Sequence, residues 1–184
     1  MTVQGAQMKR YVLIGIAVVA AGCGSSSPSS PSNTQPTTVV FTAALNAANE
    51  TPAPITNADR DAKGTSTMTF HLTRDSAGTI TAATVDFVYS VSGFPPGTQL
   101  VSTHIHEGGP AIGGGVKIGA PLSAASAITL ADGTATNITF NNISGWSDGV
   151  SLVQKIIDNP NGYYFNVHSA LNPGGAVRGQ LVKQ

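Results

Sequence analysis

The chain has 184 residues, of which 41% are hydrophobic and only 10% are charged, with nine basic and nine acidic side chains. This length favours a single domain, and a surface with so little charge lacks the positive field that attracts nucleic acid, which we therefore do not expect as a partner. The single cysteine, Cys23, excludes a disulfide bond within the chain.

The first 22 residues have the layout of a secretory signal peptide. The basic pair Lys9-Arg10 precedes an apolar run from Tyr11 to Ala21, and small residues lead up to Cys23. The run is shorter than the roughly 20 apolar residues that cross a bilayer as a helix. Met8 is the expected start, because it places the basic pair at the front of the signal. We therefore expect the chain to be secreted across the inner membrane.

The residues around the expected cleavage point resemble a bacterial lipobox. In the stretch Val19-Ala20-Ala21-Gly22-Cys23 the only cysteine directly follows small residues. The resemblance implies that Cys23 is acylated and becomes the first residue of the mature protein. We expect a lipid anchor in the membrane of the cell envelope, on the periplasmic side or on the outer surface, and stable anchoring needs more than one acyl chain. The alternative is an ordinary signal peptide with an incidental cysteine.

A segment of low complexity follows Cys23. Residues 24–38 contain three prolines among many serines and threonines, and such a composition buries too little apolar surface to offset the entropy lost on ordering. We therefore predict a lipidated cysteine with a flexible tether over residues 23–38 and one folded domain over residues 39–184.

Residues 39–184 show the two-residue alternation of apolar and polar side chains that is typical of β-strands. Met68, Phe70 and Leu72, for example, alternate with polar neighbours, and Asp132-Gly133 is a favoured dipeptide of tight hairpins. We predict eight strands, near residues 41–45, 68–72, 85–89, 100–106, 127–130, 135–140, 163–168 and 176–182.

One segment has the spacing of a helix instead. Leu152, Val153, Ile156 and Ile157 form an apolar stripe, which predicts a short helix over residues 150–158. Short strands with a single helix predict an all-β fold, an antiparallel Greek-key or immunoglobulin-like sandwich.

Three histidines are candidate metal ligands. The strand period places His104 and His106 on one face, with Cα atoms about 7 Å apart, so that both imidazoles can reach one ion. On a later strand, Asn166 and His168 share a face with Tyr164. Three neutral imidazoles suit copper or zinc and leave a coordination position open. The alternative is that these histidines only line a polar face.

Four segments of the chain together resemble the CHRD domain, a family named after chordin and widespread in bacterial secreted proteins. They are Asn49-Glu50-Thr51-Pro52, His104-Ile105-His106-Glu107-Gly108, the strand from Tyr163 to His168, and Gly174-Gly175-Ala176-Val177-Arg178-Gly179-Gln180-Leu181. The resemblance covers residues 39–182 and implies an immunoglobulin-like β fold.

A more local resemblance concerns the histidines alone. His-x-His-Glu at residues 104–107 looks like the copper-ligand strand of copper/zinc superoxide dismutase, with His168 as the counterpart of a late copper histidine. The chain lacks that enzyme's disulfide, and no histidine cluster for a zinc site lies between these residues. The resemblance therefore implies a copper-only site at most.

Further side chains are predicted to support the imidazoles without binding the metal. Glu107 and Glu50 are the carboxylates nearest the motifs, and a carboxylate that accepts an imidazole N–H orients the ring. The alternatives are solvent exposure for Glu107 and a local turn contact for Glu50. Asn166 shares the face of His168, and Arg178 is expected to pair with one of the two carboxylates or to lie on an outer face.

The fourth histidine and the glycine-rich segment are given simpler roles. His71 lies on a threonine-rich face, where we expect a solvated side chain. The glycine-rich segment at residues 108–115 is either a flap over the histidines or a plain surface loop.

The sequence as a whole predicts a lipid-anchored CHRD-type module that binds copper or zinc through His104, His106 and His168. The alternative is a metal-free adhesion or ligand-binding sandwich with structural histidines. Catalysis is not expected, and dismutase-like redox activity is only a variant of the first hypothesis. The sequence points to the membrane and a metal ion as partners, and to no particular protein.

Overall fold

A computed structural model of the protein describes residues 1–2 and 35–184. The chain divides into two compact units, residues 1–31 and residues 32–184, and the architecture below is that of the second. The predicted signal peptide beyond residue 2, the predicted acylation site Cys23 and most of the predicted tether lie outside the described residues. No helix in the described part of the chain is long and apolar enough to cross a membrane.

Ten strands and one α-helix make up the described part of the second unit. In chain order they are β1 (Thr38–Asn46), β2 (Lys63–Arg74), β3 (Ile80–Ser92), β4 (Thr98–Glu107), β5 (Val116–Gly119), β6 (Ile128–Leu130), β7 (Ala135–Ile143), α1 (Gly149–Asp158), β8 (Tyr163–Ser169), β9 (Val177–Gln180) and β10 (Val182–Lys183).

The strands form one sheet in the order β5-β4-β8-β9-β1-β2-β3-β7, with β10 beside β1 and β6 beside β4. Every strand pair in the described residues is antiparallel. Strands far apart in the chain become neighbours, above all β4 and β8. The predicted all-β, antiparallel sandwich with one short helix is confirmed.

Aromatic contacts between distant strands show that the sheet curls over itself. β3 and β8 are not neighbours in the sheet, yet the rings of Phe87 and Phe165 meet edge to face at 5.1 Å between centroids. Tyr89 packs on the same Phe165 ring at 5.6 Å. The inner faces of these strands therefore form one core, as in a β-sandwich.

Helix α1 connects the edge strand β7 to β8 in the middle of the sheet. Its apolar stripe buries Leu152, Val153 and Ile156, and the helix packs against β3. The predicted stripe thus explains why this one segment is helical, since its spacing presents a single face to the core.

Both ends of the domain lie at strand β1. At the front, Leu72 N donates to the carbonyl of Thr37 at 2.7 Å, and β1 begins at Thr38, the last residue of the predicted tether. At the back, β10 pairs with β1, and Gln184 N donates to the carbonyl of Val40 at 3.0 Å.

Strand β8 is unusual because all seven of its residues are buried. Phe165 and Val167 belong to the hydrophobic core on its inner face. Tyr164, Asn166 and His168 alternate with them and therefore face outward. A polar face that is buried needs partners above it, and those partners form the candidate site.

Candidate metal centre

Strands β4 and β8 bring the three predicted histidine ligands to one place. In their antiparallel register, His104 lies opposite Asn166, His106 opposite Tyr164, and His168 opposite Ser102. Residues opposite one another share a face of the sheet. His168 is thus a diagonal neighbour of His104. We call His104, His106 and His168 the histidine trio.

The geometry of the histidine trio approaches that of a metal site. One ring nitrogen from each histidine lies within 4.8 Å of the others, and His104 Nδ1 is 3.1 Å from His168 Nε2. In a tetrahedral site, nitrogens that share an ion at 2.0–2.1 Å are about 3.4 Å apart. The most widely separated nitrogens of the trio therefore need to approach one another by up to roughly 1.4 Å.

Backbone carbonyls orient two of the rings. His106 Nδ1 lies 2.9 Å from the carbonyl oxygen of Gly114, and His168 Nδ1 lies 2.9 Å from that of Pro173. A carbonyl can only accept, so both Nδ1 atoms carry the proton and both Nε2 atoms present a lone pair. Metal-bound histidines almost always have such an N–H partner on the other nitrogen.

The lone pair of His106 has no partner of its own. His106 Nε2 is buried without a hydrogen-bond partner among the described residues. An unpaired buried acceptor costs free energy, and a cation would satisfy it. In contrast, His168 Nε2 accepts a hydrogen bond from His104 Nδ1. If a metal ion bound between these two nitrogens, His104 would carry its proton on Nε2 instead of Nδ1.

Burial keeps the histidine trio neutral. Burial, together with smaller contributions from the neighbouring His168 and His106, lowers the pKa of His104 to about 4. Burial also lowers the pKa of His106 and of His168, against the opposing effect of their carbonyl partners. At neutral pH each of the three rings therefore has one unprotonated nitrogen, the form that binds a metal.

The side chains of Tyr164 and Arg178 stack over His106. The Tyr164 ring lies parallel to the imidazole, with centroids 4.9 Å apart and an interplanar angle of 9°. The Arg178 Cζ atom lies 3.5 Å from the centroid of the Tyr164 ring. The positive charge of Arg178 therefore acts on the histidine trio through an aromatic ring.

Arg178 also holds the glycine-rich loop over the site. The fully buried guanidinium donates to the carbonyls of Gly109 and Ile112, at 2.7 and 3.0 Å. The loop in turn supplies the Gly114 carbonyl that orients His106. Residues 108–115 were predicted to be either a flap over the histidines or a plain surface loop. The contact with His106 favours the first of these roles.

Glu50 and Asn166 form a buried polar pair beside the trio. Asn166 Nδ2 donates to Glu50 Oε2 at 3.4 Å, and burial raises the pKa of Glu50 to about 7. Gly175 leaves room for this pair, since its φ is +139° and a Cβ atom there would lie 2.6 Å from both bonded atoms. Glu50 supports the strand that carries His168 and bonds to no imidazole among the described residues.

Glu107 does not reach the histidines. Its side chain is exposed and forms an ion pair with Lys117 at 3.0 Å, and Lys117 also pairs with Asp148. The reason is the strand period, which turns Glu107 to the face opposite His106. Arg178 forms no ion pair with Glu107 or Glu50 among the described residues. It lies opposite Asn166 on the outward face of the sheet, which was the alternative predicted for it.

His71 lies away from the trio on strand β2. Its side chain is half exposed, and Nε2 is 2.9 Å from the carboxylate of Asp86. The surface position agrees with the role predicted for it.

Several site residues could not be found from side-chain patterns. The orienting carbonyls of Gly114 and Pro173 are backbone groups, which any residue supplies. The turn that carries Pro173 is fixed by Asp59, which accepts from Ser169 Oγ and Asn172 Nδ2, both at 2.6 Å. The buried Asp59 is distant in sequence and carries no recognisable motif.

The comparison with protein families places most of the chain in a known family. The family model of the CHRD domain matches residues 41–181, a range that includes the histidine trio, Glu50 and Arg178. No curated protein and no solved structure shows significant similarity to the chain.

Proposed function

The chain belongs to the CHRD domain family, and we propose that it binds a copper or zinc ion through His104, His106 and His168 outside the cytoplasm. One observation carries the proposal: three neutral imidazoles converge from two strands that are distant in sequence, with one nitrogen of each within 4.8 Å of the others. The chemistry of this donor set fits both ions and leaves a coordination position open.

The orientation of the rings supports the proposal. Two carbonyl acceptors direct the Nε2 lone pairs of His106 and His168 toward the shared space. A ring fixed before the ion arrives loses little entropy on binding. The same carbonyls make each Nε2 more basic and so a stronger metal ligand, while burial lowers the pKa and keeps both rings neutral.

Metal analysis of untagged protein tests the proposal. We expect one equivalent of Cu²⁺ or Zn²⁺ to bind, and His168→Ala to lower the affinity at least about 100-fold through the loss of a ligand. His71→Ala is the matched control, because His71 is a histidine far from the trio, and it should bind like the wild type. Binding that survives His104→Ala and His168→Ala together would refute the proposed site.

One observation favours a second candidate, a metal-free binding module with structural histidines. His104 Nδ1 and His168 Nε2 already bond to each other at 3.1 Å, so two of the three rings are satisfied without an ion. If the histidines are only structural, we expect neither copper nor zinc above the background in the purified protein, and no change of the unfolding temperature on addition of either ion.

The anchored location is a separate part of the proposal and rests on the sequence alone. A single cysteine follows a basic pair, an apolar run and small residues. In cells fed a labelled fatty acid, we expect label in the wild type and none in Cys23→Ser, which should also leave the membrane fraction. Equal labelling of both proteins would exclude acylation at Cys23.

A further inference from the structure

Arg178 is a buried cation that forms no bond to a carboxylate within the described part of the chain. It is 1% exposed, and its guanidinium donates to four neutral oxygens, those of Thr51 Oγ1, Gly109, Ile112 and Gln180 Oε1. Burial of a charge is costly unless it is paired. Hydrogen bonds to neutral acceptors hold the guanidinium in place but do not cancel its field.

This charge faces the histidine trio. Arg178 Cζ is 3.5 Å from the Tyr164 centroid, which is itself 4.9 Å from the His106 centroid. The guanidinium is therefore less than about 9 Å from the imidazole, a separation at which unit charges inside a protein change an equilibrium by on the order of tenfold. The space between them holds an aromatic ring rather than water.

From this arrangement we infer that Arg178 biases the histidine site toward the singly charged copper ion, Cu⁺, over Cu²⁺. The inference rests on the proposed metal site and specifies the ion that it favours. Each of the three ligands is neutral, so no ligand charge offsets the charge of the ion. Repulsion from Arg178 acts twice as strongly on a doubly charged ion as on a singly charged one.

Glu50 opposes this effect in part. Its carboxyl group interacts electrostatically with Arg178, but its hydrogen bond goes to Asn166. Glu50 and Arg178 thus carry opposite charges near the same site. Their removal should shift the ion preference in opposite directions.

The test compares the affinities of Cu⁺ and Cu²⁺ in purified, untagged variants. Cu⁺ is titrated anaerobically against a coloured chelator, and Cu²⁺ against a competing ligand. In Arg178→Gln we expect the preference for Cu⁺ to fall about tenfold, which corresponds to a reduction potential lower by about 59 mV. Arg178→Lys keeps the charge and should retain the wild-type preference. Arg74→Gln removes an equal charge from β2 and should change nothing.

Glu50→Gln provides the variant of opposite sign. At pH 8 it removes a negative charge with little change of shape, and the preference for Cu⁺ should rise several-fold. If Arg178→Gln does not fold, the ion preference of Glu50→Gln serves as the test. An unchanged preference for Cu⁺ in Glu50→Gln overturns the inference.

The outcomes separate the inference from the proposed function. A wild-type protein that binds neither ion refutes the metal site itself. Normal binding with the same ion preference in Arg178→Gln and wild type refutes only the role of Arg178. An equal shift in Arg178→Gln and Arg178→Lys also refutes it, because the cause would then be packing rather than charge.

Discussion

At the scale of single residues, the protonation of the trio links the site to stability. The ordinary histidine pKa is 6.5, and burial lowers that of His104 to about 4. The folded protein therefore binds fewer protons than the unfolded chain between these two values. The contribution of His104 is fully present above pH 6.5 and is lost as the pH falls toward 4.

Glu50 contributes with the opposite sign. Its pKa rises from 4.5 to about 7 on folding, so the folded protein binds more protons than the unfolded chain between these values, and stability rises as the pH falls through 7. In metal-free Glu50→Gln, which removes this compensation, we expect the free energy of unfolding to fall by at least about 2 kcal/mol from pH 7.5 to pH 4.5.

Urea unfolding in the presence of a chelator measures this difference. The wild type should lose less stability than Glu50→Gln over the same pH range, because the raised pKa of Glu50 offsets the lowered pKa values of the histidines. A Glu50→Gln protein whose stability is flat across this range would contradict the assigned histidine environments.

Gly175 permits a second prediction at this scale. A Cβ atom there would lie 2.6 Å from Glu50 Oε2 and Asn166 Nδ2, at a φ of +139°. Gly175→Ala should therefore destabilise the protein by on the order of 2 kcal/mol. Gly174→Ala is the matched control, since nothing lies within 4 Å of its added Cβ. Equal urea midpoints for the two variants would show that the Glu50–Asn166 pair tolerates displacement.

At the scale of elements, the turn after β8 decides how His168 is oriented. Asp59 accepts hydrogen bonds from Ser169 and Asn172 and so fixes the turn that presents the Pro173 carbonyl. Asp59→Ala should lower the metal affinity roughly tenfold, the effect of losing an outer partner of a ligand. Asp61→Ala, which changes an exposed carboxylate nearby, should leave the affinity unchanged in a metal titration. Equal affinities in both variants would assign the turn no role in ligand orientation.

The elements also show what could be predicted from the sequence. The long strands β2, β3 and β4 follow from alternation, and the period of two correctly placed His104 and His106 on one face. Strand β5 has four residues after a glycine-rich segment, too few for a pattern. Glu107 was predicted to orient an imidazole because it follows His106 directly in the chain. Adjacent residues of a strand, however, point to opposite faces of the sheet.

The pairing of β4 with β8 lies beyond what such patterns determine. His104 and His168 are 64 positions apart, and their approach depends on strand order and register. Alternation specifies which face a residue takes but not which strand lies beside it. The face that His168 shares with Tyr164 and Asn166 made it a candidate third ligand, but only the fold brings it beside His104.

At the scale of the whole molecule, an ion held by β4 and β8 should stabilise the fold. An ion that binds only the folded protein stabilises it by about 2.7 kcal/mol at a concentration 100 times its Kd. We expect the unfolding temperature to rise on addition of copper or zinc, and the rise to disappear in His168→Ala and on chelation. A comparable rise in His168→Ala would indicate binding elsewhere on the surface.

The adjacent ends of the domain have a consequence for engineering. Because β10 lies against β1, with Gln184 bonded to Val40, a linker of a few residues can join the start of β1 to Gln184. The domain is thus suited to circular permutation, with new ends opened between the exposed residues Ala131 and Asp132.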